Sequence, residues 1–285
     1  MKIICDVPGQ LCNRLWSYLD TIAWSVLNKQ RTVILFIDSN IQYFDKLRNN
    51  NFISFPLYNK KVFNLLGYNL CSSVIGKIFN NKLFRLFYCS TVAEKFGFII
   101  GWKKRADSSF FPICKKEVLQ LYKPNDNITE YVDGVIRQIR IDDVFIIGIH
   151  IRKGDYKTWM GGEYYYTDED YALIMRNLEE YYQNKKVYFF LSSNESVRKE
   201  CFDGLNILKM NNFTAVHDLY TLSCCDRIIG PLSTFSRWAS LYGNVPLCYI
   251  QRNKEKYVDS DFSIIKDFYH FENGEEIINL TDKKA

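Results

Sequence analysis

Residues 144–151 read Val-Phe-Ile-Ile-Gly-Ile-His-Ile, an unbroken apolar run rich in β-branched side chains. A strand with no polar face must be covered on both sides, and strands covered in that way belong to parallel sheets whose connections are helices. The surrounding chain supplies such connections. The spacing of Ile128, Tyr131, Val132, Val135 and Ile139 predicts a helix over 126–140. A second helix over 168–182 turns Tyr171, Ile174, Met175, Leu178 and Tyr182 inward, with Thr167 and Asp170 in capping-box positions. Further strands are expected at 186–191, 206–209, 227–230 and 247–250, separated by helical stretches at about 194–202, 218–225 and 233–243. Right-handed crossovers then build an open, doubly wound α/β sheet, in which ligands sit beyond the carboxyl ends of the strands. The places to look are just after Ile151, Leu191 and Gly230.

The first half begins in the same idiom. A short strand at 2–5 leads through Pro8-Gly9-Gln10 into a helix carrying Leu11, Leu15, Tyr18, Leu19, Ile22 and Val26 on one face, and then a strand at 32–37. Residues 40–125 are rich in Phe, Tyr and Asn with weak periodicity and read as a mixed region of short helices. We place the boundary between halves near 140–144, giving lobes of 1–142 and 143–285.

Composition removes several classes. With 47% apolar and 24% charged residues in 285, the chain is neither disordered nor collagen-like. A net charge of +5 is too dilute to make nucleic acid the main partner, though it leaves room for an anionic ligand. The nine cysteines include no C-x-x-C pair and read as reduced, mostly buried thiols. With three histidines and no pair at ligand spacing, no metal site is expected. No run reaches the length of a membrane span and the opening apolar stretch is too short for a signal peptide, so a cytoplasmic location is expected. Residues 74–88 interleave Lys77, Lys82 and Arg85 with apolar side chains; this fits a peripheral helix at the inner membrane or a core-facing helix with a cationic rim. The phosphate-loop, G-x-G-x-x-G and G-x-S-x-G signatures are absent, which removes the usual support for phosphate-loop NTPases, dinucleotide dehydrogenases and α/β-hydrolases.

Four segments have the composition of a ligand site. His150-Ile-Arg152-Lys153-Gly154-Asp155-Tyr156 leaves the apolar strand with two cations that suit phosphate oxygens, and Asp155 can hold the arginine in register. A solvated charged turn is the other reading. Pro231-Leu-Ser233-Thr234-Phe235-Ser236 lies between strand and helix, where hydroxyls and free amides either bind an anion or cap the helix. Gly9-Gln10-Leu11-Cys12-Asn13-Arg14 opens the first helix with a glycine turn that admits a ligand, Asn13 and Arg14 lying off the apolar stripe. Ser193-Asn194-Glu195 follows an apolar strand and is a helix start or a site. Asp168-Glu-Asp170 and Asp259-Ser-Asp261 spell D-x-D, but the first falls in a helix's opening turn, where acids are expected. Trp159-Met-Gly-Gly-Glu163 reads as a lid with Glu163 as a base, or as a plain surface loop.

Taken in order, these segments resemble a known family. Gly9–Arg14 resembles a G-G-L-G-N-Q or G-N-R opening, His150–Tyr156 is similar to H-x-R-R-x-D-Y, and Ser193-Asn194-Glu195 looks like S-D-D. The long stretch from Asp218 through Ser223, Asp226 and Ser233 to Trp238 resembles D-L-x-x-M-S-x-C-x-x-x-I-x-A-N-S-T-F-S-W-W. These are motifs of the fucosyltransferase superfamily that includes the bacterial α-1,2-fucosyltransferases, glycosyltransferase family 11. The resemblance implies a GT-B fold with two Rossmann-like lobes, the first shaping the acceptor side and the second binding GDP-fucose as donor substrate, with no cofactor or metal. It implies inverting transfer of L-fucose to a galactoside in an oligosaccharide or lipid-linked glycan.

By the same carry-over Arg152 is the charge at the departing phosphate, Asp155 organises it, and His150 lies near the nucleotide. Ser233, Thr234, Phe235 and Ser236 hold the diphosphate, and Gly9, Asn13, Arg14, Lys153, Ser193 and Asn194 complete the substrate contacts. The chain departs from the pattern where Lys153 replaces an arginine, Cys12 a glycine, Asn194 an acid and Arg237 a tryptophan. Asp226 stands where α-1,2 enzymes often carry histidine. An aspartate accepts from both N1–H and the exocyclic amine of guanine, so Asp226 is read as the guanine contact, with a strand-start aspartate as the alternative. Fucose transfer of another linkage, another GDP-sugar, and a non-catalytic GDP-sugar-binding protein stay open, with a metal-dependent transferase using Asp168 and Asp170 last.

Overall fold

The structure is a computed structural model, and it describes residues 1–4, 8–35, 39–56, 77, 81, 96–99, 109–210 and 214–277. The chain divides into two compact units, Met1–Asn125 and Asp126–Ala285. In the first, β1 (Lys2–Ile4), β2 (Thr32–Ile34), β3 (Ile53–Ser54) and β4 (Phe98–Ile99) form a parallel sheet in the order β3-β2-β1-β4. Helix α1 (Leu11–Asn28) buries Leu11, Leu15, Tyr18, Leu19 and Ile22, as its spacing predicts, and ends where Lys29 turns left-handed at φ 52°. It is followed by the single turn α2 (Asp45–Arg48) and by α3 (Lys115–Leu121). Asp20 of α1 accepts from the amides of Phe110 and Phe111 at 2.7 and 2.9 Å, fixing the turn that leads into α3. Apart from Lys77 and Asn81, the segment 74–88 lies outside the described residues, as do most of residues 57–108, where acceptor contacts are expected.

The second unit holds α4 (Asp126–Arg140), β5 (Val144–Ile151), α5 (Asp168–Tyr181), β6 (Lys186–Ser193), α6 (Ala215–Leu222), β7 (Arg227–Gly230), α7 (Thr234–Gly243) and β8 (Leu247–Tyr249). All four strands are parallel, in the order β6-β5-β7-β8. The apolar run at 144–151 is therefore an interior strand, and Ile147, Ile149 and Ile151 lie in a core with Tyr171, Met175, Leu178 and Phe189. Helix α4 packs against β5 and α6, and Arg140 at its end donates to Asp226 and to the Cys224 carbonyl, each at 3.1 Å. These contacts place α4 in the second unit, so the seam falls after Asn125 rather than near 142. Its buried stripe is Ile128, Val132 and Ile136, while Tyr131 stays exposed beside the His217 ring.

Three expected elements change. The strand at 206–209 reduces to one bridge, Phe189 to Ile207, at the β6 edge. Of the helix at 194–202 only the 3-10 turn Lys199–Phe202 forms, because the segment before it is engaged elsewhere. Helix α6 starts at Ala215, ahead of the expected 218, because Thr214 and His217 close a capping box with an Oγ1–Nδ1 distance of 2.9 Å. The six cysteines among the described residues are free thiols. No helix among the described residues is long and apolar enough to cross a membrane.

Candidate functional site

The carboxyl end of β5 delivers His150 and Arg152. His150 is 4% exposed and stacks on Phe235, the ring centroids 5.1 Å apart. Burial, reinforced by the Arg152 charge, lowers its pKa to about 3, so the imidazole is neutral at physiological pH. Its Nδ1 is buried without a hydrogen-bond partner. Gly230 at the end of β7 permits this approach, because a Cβ there would lie 2.7 Å from the His150 carbonyl oxygen and 2.8 Å from its Cβ.

Arg152 sits largely covered, 3.0 Å from the more exposed Asp155 carboxylate, with its guanidinium 5.6 Å from the centre of the Tyr156 ring. Tyr156 in turn donates to the Leu232 carbonyl at 2.8 Å, tying the arginine loop to the loop that opens α7. Thus Arg152, Asp155, His150, Tyr156 and the start of α7 gather at one edge of the sheet. That is the edge at which parallel sheets bind ligands.

Lys153 does not join them as a second cation. Its ammonium lies 2.6 Å from the Asp168 carboxylate, both side chains nearly inaccessible, and donates to the Ser196 carbonyl at 3.0 Å. Burial opposes the charge on Asp168, but bonds from Lys153 and the Arg198 amide, with both cations near, hold its pKa below the ordinary aspartate value. Asn194 is likewise a brace, its Oδ1 accepting from the Lys153 amide at 2.8 Å. Gly154, at φ +52°, closes this junction beside Asn194 and Glu195, where a Cβ would come within 2.7 Å of the Glu195 carboxylate. Ser193 Oγ accepts from the Glu195 amide at 3.4 Å. Of the residues expected to bind substrate here, Lys153 has its ammonium turned into the scaffold, and Asn194, itself exposed, has its Oδ1 engaged by the Lys153 amide.

At α7, Ser233 is the N-cap and accepts from the Phe235 amide at 3.2 Å, while Ser236 is fully buried and donates to the Ser233 carbonyl at 3.3 Å. Ser236 therefore has its hydroxyl turned back onto the first turn of the helix. Ser233, Thr234 and Phe235 are partly exposed at the amino end of a ten-residue helix, where the macrodipole favours an anion.

Asp226 stands immediately before β7, at its amino end and the opposite edge of the sheet from Arg152. Its carboxylate accepts from Arg140 at 3.1 Å and from the Ile146 amide at 2.8 Å. The strand-start reading fits this position, and the guanine reading does not. Besides Asp155, the carboxyl edge carries Asp218, which accepts from Ser192 Oγ at 2.9 Å beside the end of β6. Burial raises its pKa to about 6 against the lowering by that bond. Asp218 heads the long motif in the sequence, yet only the pairing with Ser192 distinguishes it from Asp226.

Both D-x-D segments are engaged elsewhere. Asp170 caps α5 with Thr167, Asp259 accepts from Arg227 at 2.9 Å, and Asp261 pairs with Lys254 at 2.6 Å. Residues 159–162 form a short turn with Met160 and Gly161 left-handed, and burial together with the neighbouring Glu163 raises the pKa of the Tyr164 phenol. In the first unit Gly9, at φ +47°, precedes α1; a Cβ there would collide with the Asn13 amide, and Arg14 donates to the Gly9 carbonyl at 3.1 Å.

The family model for glycosyl transferase family 11 matches residues 105–271, more than half of the chain. The chain belongs to glycosyltransferase family 11. A search of curated proteins finds no match to this glycosyltransferase. Among solved structures it is similar to NodZ, an α-1,6-fucosyltransferase from Bradyrhizobium soaked with GDP-fucose, at 14% identity over 90% of this chain and 96% of that one, TM-score 0.52. It is also similar to the apo form of POFUT1, at 12% identity over 87% of this chain and 97% of that one, TM-score 0.51. At these identities the likeness is one of fold, and the family 11 glycosyltransferase shares with them the GT-B architecture of two parallel α/β units.

Proposed function

We propose that this glycosyltransferase moves L-fucose from GDP-fucose to a galactoside of a surface glycan, without a metal and with inversion, forming an α-1,2 linkage. The observation that carries the reading is Arg152, held by Asp155 at the carboxyl edge beside the amino end of α7. In the reaction an acceptor hydroxyl attacks the fucose C1 as the bond from C1 to the phosphate oxygen breaks. The electron pair leaves with GDP, and the proton of the acceptor hydroxyl is released to the departing phosphate oxygen or to water. Catalysis must therefore stabilise charge growing on the diphosphate, which a guanidinium and a helix amino end supply without a divalent ion. His150, neutral and stacked on Phe235, shapes the wall of this site. Asp218 is the carboxylate available to accept from the guanine edge, a role its place beside Ser192 supports.

The test is GDP release from GDP-fucose and GDP-mannose in chelator with a panel of galactosides, comparing the native protein with Arg152→Ala, and linkage analysis of the product. Acceptor-dependent release from GDP-fucose alone, abolished by the substitution, is expected. Release from GDP-mannose, or a different linkage, overturns the donor or regiochemical assignment. GDP binding without turnover across the panel supports a sugar-nucleotide-binding protein instead.

A further inference from the structure

Arg237, one turn into α7, is 4% exposed. Its Nε donates to the Tyr249 phenol oxygen at 3.1 Å and its Nη1 to the Phe268 carbonyl at 2.6 Å. The guanidinium lies over the Phe268 ring at 4.7 Å. Every one of these partners is neutral, and among the described residues no carboxylate pairs with it and no acceptor meets its Nη2. Buried charges in proteins are ordinarily paired, since desolvation otherwise makes them costly. By contrast Lys153, Arg152 and Arg227 each have an acid: Asp168, Asp155 and Asp259 respectively.

The position says where the missing counter-charge belongs. Tyr249 is the last residue of β8 and pairs in register with Gly230, the last of β7, so the guanidinium is anchored at the carboxyl edge of the sheet. Helical side chains lean toward the amino end of their helix, which carries Arg237 toward Ser233 and Thr234. The site thus combines a helix amino end with a buried, acid-free guanidinium on the same helix.

We propose that Arg237 is a donor-binding residue whose counter-ion is the diphosphate of the bound nucleotide, supplying the second positive charge that Lys153, neutralised by Asp168, does not. This rests on the nucleotide reading above. Arg237 adds its charge to that of Arg152, and it selects for a diphosphate over a monophosphate or a free nucleoside.

The experiment is calorimetric titration of the native protein, Arg237→Met and Arg237→Lys with GDP, guanosine and inorganic pyrophosphate, alongside thermal melts. Arg237→Met should weaken GDP about tenfold or more while leaving guanosine unchanged, as loss of a hydrogen bond to a charged group predicts. Arg237→Lys should restore part of the loss. The free Arg237→Met protein should stay folded and melt close to the native one, because removing an acid-free buried charge offsets the acceptors left at Phe268 and Tyr249. Equal weakening of GDP and guanosine, unchanged GDP affinity, or a collapsed melting temperature for both variants would assign Arg237 to packing and overturn the proposal. If the native protein binds pyrophosphate through Arg237 but not GDP, the anion site stands and the nucleotide reading fails; if it binds neither, both fall.

Discussion

Replacing Lys153 by methionine separates a scaffold cation from a ligand cation. The substitution keeps the aliphatic bulk but leaves the Asp168 carboxylate, 4% exposed, without its nearest counter-charge. What remains is the Arg198 amide at 3.0 Å and the Arg198 Nε at 3.7 Å, on a side chain more than half exposed. Removing one partner of a buried pair costs about 3–5 kcal/mol, and the surviving Arg198 contacts place this case near ~3 kcal/mol. For a unit of this size that lowers Tm by about 6–12 °C. Urea denaturation followed by circular dichroism at pH 7 reads the loss, and Lys153→Met with Asp168→Asn should recover most of it. Because the folded Asp168 titrates below 3.8, its contribution is complete above that value and fades as pH falls through the depressed folded pKa, so the gap between native and variant closes in acid. A Lys153→Met protein as stable as the native one but about tenfold weaker for GDP would refute the assignment and return the ammonium to the ligand.

Gly230→Ala forces a Cβ against His150 and should cost about 1–3 kcal/mol in urea midpoint, whereas Gly134→Ala, with nothing within 4 Å in mid-helix, should gain about 0.5–1 kcal/mol. Asp226→Asn should lower stability and leave GDP affinity unchanged, since it breaks only the tie to Arg140 and Ile146. Asp218→Asn should do the reverse, relieving a buried carboxylate whose raised pKa destabilises the fold at neutral pH while removing an acceptor for guanine. In the native protein GDP affinity should fall as pH drops through about 6, where Asp218 gains its proton, and that step should vanish in Asp218→Asn.

Elements whose faces are uniform were legible from the sequence: 126–140, 144–151 and 227–230 match the observed bounds because strand and helix periods are strong there. Arg152 and Asp155 were legible as a pair because they stand three positions apart in one loop. Lys153 was misread because its partner, Asp168, lies beyond an intervening turn, and no spacing rule links a residue after one strand to the first turn of the next helix. The failed helix at 194–202 has the same origin, since Asn194 and the Ser196 carbonyl brace Lys153 in place of starting a helix. Asp226 carried its answer locally: it precedes its strand, and ligands gather after strands. Arg237 showed in the sequence only as an unusual residue type, and its lack of an acid emerged from the packing of Tyr249 and Phe268 around it.

The reach of Arg140 from the end of α4 to Asp226, together with the Tyr220 phenol donating to Asp133 at 3.1 Å, makes α4 a clasp on the amino edge of the second sheet. For recombination between relatives this sets the seam. A crossover after Asn125 transfers the clasp with the sheet it closes, and the second unit travels as an intact cassette. A crossover near 142 inherits the clasp from the other parent, and the exchanged half then meets Asp226 and Tyr220 with partners selected for a different sheet.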